Sequence, residues 1–340
     1  MSALSYSGNV SDDVEKDFPI DFVILWVDGN DPEHERKRSK YLADFRLESI
    51  KNAEQSTDLK RFVQHNELRY CLRSIKQHAP WYRKIYLVTD NQVPAFLDIP
   101  KLHLDRIEMV DHRELFKGKE EFLPTFNTRC LTTMLSSIQG LSEHFICGND
   151  DLMFGNSVTK SFFYEKGKTV IYADWGSIDE GTALTLHQQG MIKAANMQGF
   201  DQSKFLISSH GFYPLLKSTM FDLAELHPQA FSNNIRYKFR HESQFLPESL
   251  FNHFAINSDK GILKSTELMV HFSFELCRAG TPEKIEFLFG LIEQGKRKMF
   301  CLNEFQSLYS RLPEIKEFLE LICGPALLSE IEQSREKDYA

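Results

Sequence analysis

Ile20-Asp21-Phe22-Val23-Ile24-Leu25-Trp26-Val27 runs directly into Asp28-Gly29-Asn30-Asp31-Pro32. An apolar run of that length, rich in β-branched and aromatic residues, predicts a strand buried in a sheet, and Asp-Gly followed by Asp-Pro predicts the turn that ends it. Carboxylates therefore stand at the strand's C-terminal end. The pattern recurs downstream: Lys84 to Thr89 (Lys-Ile-Tyr-Leu-Val-Thr) and Asp105 to Val110 read as strands. His144-Phe145-Ile146-Cys147-Gly148 reads as a fourth, ending at Asn149-Asp150-Asp151. Between them lie helical patterns. A charged one runs from Glu33 to about Ile50, and another from Asn66 to His78 carries Leu68, Leu72 and Ile75 at helical spacing before Ala79-Pro80 stops it. Strands alternating with helices predict an α/β fold with a mostly parallel sheet flanked by helices, whose ligands bind outside the carboxyl ends of the strands.

Outside this core, residues 1–17 read as a polar tail and Lys51 to Lys60 as a polar linker. Phe162 to Ala173 reads as a β-ribbon around Lys166-Gly167-Lys168. From Thr182 onward helical patterns dominate, interrupted by the loop Ser208-Ser209-His210-Gly211-Phe212-Tyr213-Pro214. The amphipathic stretches Pro282 to Gln294 and Pro313 to Ile322 make the C-terminal part mainly helical, and packing against the sheet is the expected use of their apolar faces.

Composition bounds the function. The 340 residues are 42% hydrophobic and 26% charged, which excludes disordered, collagen-like and coiled-coil classes. Forty Lys and Arg against 48 Asp and Glu give a net charge of −8, a poor surface for non-specific binding to nucleic acid or anionic membrane. A phosphate ligand then needs local cations or a metal. No run near the start is long enough to span a bilayer, and no basic region precedes an apolar one, so a cytoplasmic chain is expected. Cys71, Cys130, Cys147, Cys277, Cys301 and Cys323 lie far apart without Cys-x-x-Cys, a pattern that fits reduced thiols better than a zinc site or disulfides. The sequon Asn9-Val10-Ser11 carries little weight.

Chemistry concentrates in a few places. A buried strand ending in Asp150 and Asp151 must either solvate both carboxylates or neutralise them, and Mg²⁺ with a diphosphate does the latter; an ordinary solvated turn is the competing reading. Asp28-Gly29-x-Asp31 has the same two readings, and two acidic ends on one parallel sheet favour a shared crevice. Arg69 and Arg73 share a helix face and either meet phosphate or form a solvated pair. His210, in a loop bracketed by Gly and Pro, has the pKa range of a general base, although most loop histidines serve no such role. Arg236, Lys238 and Arg240 alternate with Tyr237 and Phe239, so an extended segment would turn all three cations to one side, as an anion clamp or as a wet strand face.

Taken together, these segments resemble the Stealth family of sugar-1-phosphate transferases, which includes bacterial capsule polymerases and the lysosomal-targeting N-acetylglucosamine-1-phosphotransferase. The likeness runs over about residues 20–275. It begins with Asp21-Phe22-Val23 through Pro32. It continues through Asn66-Glu67-Leu68-Arg69-Tyr70-Cys71-Leu72-Arg73-Ser74, Ala79-Pro80-Trp81, Lys84 to Thr89, Leu123-Pro124-Thr125-Phe126-Asn127 and Gly140 to Ile146, into Asn149-Asp150-Asp151. The His210 loop with Tyr237-Lys238-Phe239-Arg240 follows, then a weaker likeness near His271. Motifs in fixed order are more specific than any one alone. Three places depart from the family pattern: Gln64 and His65 stand where an Asp is common, Thr132 where a Glu is common, and Phe212 where the His loop often has proline.

The resemblance implies a catalytic domain over 18–275, with a glycosyltransferase-A-like, nucleotide-sugar-binding sheet, and a helical region over 276–340. It implies attack by an acceptor-glycan hydroxyl on the β-phosphorus of a UDP-sugar, a UDP-N-acetylhexosamine being the expected donor, with release of UMP and formation of a phosphodiester in capsular or cell-surface polysaccharide. Asp151 with Asp150 would hold Mg²⁺ or Mn²⁺, His210 would be the base, and Arg240 would stabilise the phosphoryl oxygens. Asp28 and Gly29 would line the donor pocket, with Asp31, Arg69, Arg73, Asn127, Asn149 and Arg236 as further substrate contacts. The place implied is the cytoplasm, at the inner face of the plasma membrane, beside a capsule-assembly complex. Two other readings stay open: a metal-dependent glycosyltransferase releasing UDP, and an inactive sugar-nucleotide-binding subunit.

Overall fold

The computed structural model describes residues 17–48 and 65–331. The sequon, the 51–60 linker, Gln64 and nearly all of the 1–17 tail lie outside them. The central sheet has the order β3-β2-β1-β4-β9, with β1 Ile20–Leu25, β2 Ile85–Thr89, β3 Ile107–Asp111, β4 His144–Asn149 and β9 Tyr213–Leu216. The first four strands are parallel, and β9 closes the edge antiparallel to β4. All six residues of β1 are buried. Phe22 and Ile24 enter one apolar cluster with Leu72, Ile75 and Phe154, while Val23 and Leu25 enter another with Cys130, Leu131 and Phe251. That alternation is the period of two of a strand covered on both faces, and each such side chain contributes about 1.5–3 kcal/mol by leaving water.

The helices are Pro32–Glu48 and Glu67–His78, close to the expected limits. The β-ribbon is present as β6 Tyr164–Glu165 and β7 Lys168–Gly176, paired antiparallel. Its tip takes left-handed backbone at both Lys166, φ 52°, and Gly167, φ 71°. One correction concerns the His210 loop. It joins two strands, β8 Phe205–Ser208 and β9, within a stretch where helical patterns dominate the sequence. Four-residue strands are too short to show a clear period.

The C-terminal part is mainly helical, with Pro282–Glu293 and Ile315–Cys323 close to expectation. It also supplies β12 Met299–Leu302, which lies between β11 Met269–Phe272 and β5 Leu152–Phe154 in a three-stranded sheet. β5 follows the Asp150-Asp151 turn directly, so this small sheet ties the C-terminal residues to the acidic end of β4. All six cysteines are buried and free. Among the described residues, no helix is long and apolar enough to cross a membrane.

Candidate active site

The register of β1 with β4 sets Leu25 opposite Asn149, so the Asp28 and Asp150 turns leave the sheet at the same carboxyl edge. Beyond β4 the chain turns sharply through Asp150 and Asp151 into β5. Asp151 Oδ2 accepts hydrogen bonds from Asn303 Nδ2 at 2.7 Å and from Cys301 Sγ at 3.4 Å, whereas its Oδ1 is buried with no partner. Asp150 has a pKa raised well above the carboxylate range by desolvation, by Asp151 and by Glu67.

Glu67 is the third acid of this group, one whose role the sequence pattern does not reveal. It is buried at the first turn of the Glu67–His78 helix, where left-handed Asn66, φ 65°, turns the chain inward and His65 N donates to its Oε2 at 2.6 Å. Desolvation, with Asp151 adding to it, pushes its pKa up to about 7. Its signal in sequence is only that of an acidic residue in a helix's first turn, which the helix dipole explains without a ligand. Three mutually repelling acids, one with an orphaned carboxylate oxygen, gather at this edge without their oxygens converging into a closed ligand set, and a hard divalent cation is the kind of charge that would relieve their repulsion.

His210 sits across the same edge. Its loop is anchored by Phe212, which is buried, stacks on Phe154 at 4.6 Å and meets Phe22 edge-on at 5.8 Å. Gly148 makes room for it, since a Cβ there would stand 2.5 Å from the Phe212 ring. Phe212, at the position where proline is common, therefore fastens the loop to β4 by packing. The His210 imidazole, packed into its cavity on one face and exposed on the other, has its pKa lowered, first by desolvation, with Asp151 opposing and His271 and Arg240 reinforcing the shift, which favours the neutral ring with a lone pair for a proton. His271 stacks on it at 4.5 Å with 13° between the rings.

His210, Asn149 and Arg240 line one cavity of about 140 Å³. Arg240 Nη2 donates to Thr128 Oγ1 at 3.1 Å, which fixes one edge of the guanidinium. Thr132 lines it as well, and Glu248 enters from the Pro247–Asn257 helix, its pKa raised first by desolvation. An acid thus reaches this cavity from another element, although the family's usual place for one is occupied by Thr132.

Several expected substrate contacts are used otherwise. Arg73 Nη2 lies 2.6 Å from Glu330 Oε2 and its Nη1 2.7 Å from Glu320 Oε2. Arg69 Nε lies 3.6 Å from the same Glu330 oxygen, and both arginines are buried. They are therefore neither a phosphate clamp nor a solvated pair, because carboxylates more than 240 residues away neutralise them. Asn127 is a buried cap: its Oδ1 accepts from Arg129 N at 3.1 Å and its Nδ2 donates to Gln244 Oε1 at 2.9 Å, leaving no group for substrate. The Arg236, Lys238 and Arg240 clamp does not form, since the segment is irregular rather than extended. Arg236 is exposed, Lys238 Nζ donates to Phe122 O at 2.8 Å, and only Arg240 of the three lines the His210 cavity.

Asp28 and Asp31 line a separate cavity of about 190 Å³ with Asp90, Gln92 and Lys37, while Gly29 is buried in the turn. Asp28 N and O form a pair of bonds with the Gln92 side chain at 2.9 and 2.8 Å, and Asp31 Oδ1 accepts from His34 N at 2.8 Å. The two acidic ends share the sheet's edge, but Asp28 and Asp31 line their own cavity, while Asp150 and Asp151 line neither it nor the His210 cavity, which Asn149 and Leu152 reach on either side of them.

The sequence matches known proteins. Residues 18–46 match Stealth protein CR1, conserved region 1, and residues 61–171 match Stealth protein CR2, conserved region 2. An exopolysaccharide phosphotransferase of Streptomyces coelicolor is 32% identical over 84% of this chain, which spans 47% of that protein. A second from the same organism is 30% identical, with 53% of its length spanned, so the chain covers about half of these relatives. A capsular polysaccharide phosphotransferase of Streptococcus pneumoniae is 29% identical over 88% of this chain and 95% of its own length. Another from Actinobacillus pleuropneumoniae is 28% identical over 86% and 78%.

Proposed function

Since the chain belongs to the Stealth family, we propose that it is a phosphotransferase of polysaccharide synthesis, moving sugar 1-phosphate from a UDP-sugar to a hydroxyl of an acceptor glycan. The reading is carried by one juxtaposition: Asp151, which with Asp150 and Glu67 forms the acidic group at the sheet edge, lies near enough to His210 to act on its charge, and His210 shares a cavity with Arg240. The acceptor oxygen forms a bond to the β-phosphorus, the bridging P–O bond breaks, and UMP leaves with that electron pair. His210 takes the hydroxyl proton, and Arg240 faces the charge on the phosphoryl oxygens. Asp150 and Asp151, with Glu67, would hold Mg²⁺ or Mn²⁺, which when bound supplies charge neutralisation for the diphosphate. The unpartnered Oδ1 of Asp151 supports that fit. Asp28 and Asp31 would meet the nucleotide part of the donor in their own cavity. The expected setting is the inner face of the plasma membrane, with glycan and assembly proteins as partners.

A screen of UDP-sugars with acceptor glycans, reading the released nucleotide by chromatography, tests the proposal. UMP is the expected product, with a phosphodiester ³¹P signal in the glycan. UDP as the primary product would assign the site to glycosyl transfer instead, and donor binding without turnover would make it a binding subunit.

A further inference from the structure

His210, His271 and Cys301 come from the β8–β9 loop, from β11 and from β12, and one ligand atom of each lies within 4.8 Å of the others. The two imidazoles are exposed, and the thiol is buried beneath them. A network orders the cluster. Asn303 Nδ2 donates to Asp151 Oδ2, so its Oδ1 accepts from His271 Nε2. His271 is thereby the Nε2–H tautomer, and Nδ1 keeps its lone pair, as in histidines whose second nitrogen is held by a neighbouring acceptor for metal binding.

Two imidazoles and a thiolate are borderline-soft ligands, unlike the oxygen set of Asp150 and Asp151. Around Zn²⁺, with bonds of about 2.0–2.3 Å, tetrahedral ligand atoms stand roughly 3.5 Å apart. The cluster, with its ligand atoms already within 4.8 Å of one another, is roughly 1 Å from that spacing, a gap of the size side-chain torsions cover. Mg²⁺ has no preference for such a set.

We propose that His210, His271 and Cys301 form a binding site for a thiophilic divalent cation, Zn²⁺ in particular, and that its occupancy silences transfer. On binding, both imidazoles donate lone pairs and Cys301 ligates as thiolate, its proton passing to solvent; burial and the hydrogen bond to Asp151 Oδ2 favour the thiol, so the cation's charge must offset that preference, and no electron changes hands. The site rests on the three side chains alone. The silencing rests on the reading of His210 as base, because the lone pair given to the metal is the one that accepts the acceptor's proton.

Cobalt titration of the metal-free full chain tests the site without reference to turnover. The expected signature is a thiolate-to-Co²⁺ charge-transfer band with intense tetrahedral d–d bands, displaced by Zn²⁺ and not by Mg²⁺. Cys301→Ser should abolish the charge-transfer band, and Cys323→Ser should keep it. His271→Ala, at an exposed position, should weaken Zn²⁺ binding by about 10-fold or more in competition with a chromophoric chelator. No thiolate band, a band that survives Cys301→Ser, or equal displacement by Mg²⁺ would overturn the site. In the second arm, Zn²⁺ should block nucleotide release by the native chain in the presence of Mg²⁺, with at least about 10-fold more Zn²⁺ needed for His271→Ala. A cobalt signature that appears while Zn²⁺ leaves UMP release untouched would keep the site and overturn His210 as the base.

Discussion

Asn303 Nδ2 donates to Asp151 Oδ2 at 2.7 Å, joining the end of a C-terminal strand to the acidic turn after β4 across 152 positions of sequence. One carboxylate oxygen is thereby held in place, and the other is left buried and unpaired. Asp151→Asn keeps an acceptor for Asn303 and the side chain's volume, so the fold should survive while kcat falls by roughly two orders of magnitude or more. Circular dichroism and steady-state rates measured together check this. Native rates from the folded variant would return the turn to a purely structural role.

Glu67 makes stability depend on pH in a stated direction. Its pKa is raised from 4.5 to about 7 in the folded chain, so the fold binds this proton more tightly than the unfolded chain does. That contribution is complete below pH 4.5 and is lost as pH rises through about 7. Melting of the metal-free protein should accordingly show Tm falling across this window. Mg²⁺ should oppose the fall, and Glu67→Gln should flatten it. A Tm curve unchanged by Glu67→Gln would remove Glu67 from the acidic group.

His210→Ala should lower kcat by about 10²–10⁴-fold and leave UDP-sugar affinity within a few-fold, because a base serves the attacking hydroxyl and not the donor. Rates at saturating donor, set beside donor titration, separate the two effects. If donor binding collapses and kcat holds, the histidine belongs to the nucleotide pocket.

Arg73 and Glu330 predict a change in stability and none in donor recognition. Glu330→Gln leaves two buried guanidinium groups without their shared carboxylate, and breaking a buried pair costs about 3–5 kcal/mol. Denaturant unfolding should show that loss, with KM for the donor unchanged in the fraction that remains folded. A raised KM at native stability would restore the phosphate-contact role.

The buried strand Ile20 to Leu25, the turns at Asp28 and Asp150, and the helix carrying Leu68, Leu72 and Ile75 were all legible in the chain, because each depends on neighbours a few residues apart. So was the placing of both acidic turns at one edge, which follows from a parallel sheet. What Arg69, Arg73 and Asn127 do was not legible. A cation or an amide has no role until its partner is known, and theirs are Glu330, Glu320 and Gln244, brought in by tertiary packing. Cysteine spacing pointed away from a zinc site, yet folding sets Cys301 beside two histidines whose positions differ from its own by 30 and 91 residues (301 − 271 and 301 − 210). Local sequence determined which segments become strands, helices and turns. The tertiary structure alone decided which charges are neutralised within the protein and which, at Asp150, Asp151 and Glu67, are left to repel one another at the edge of the sheet.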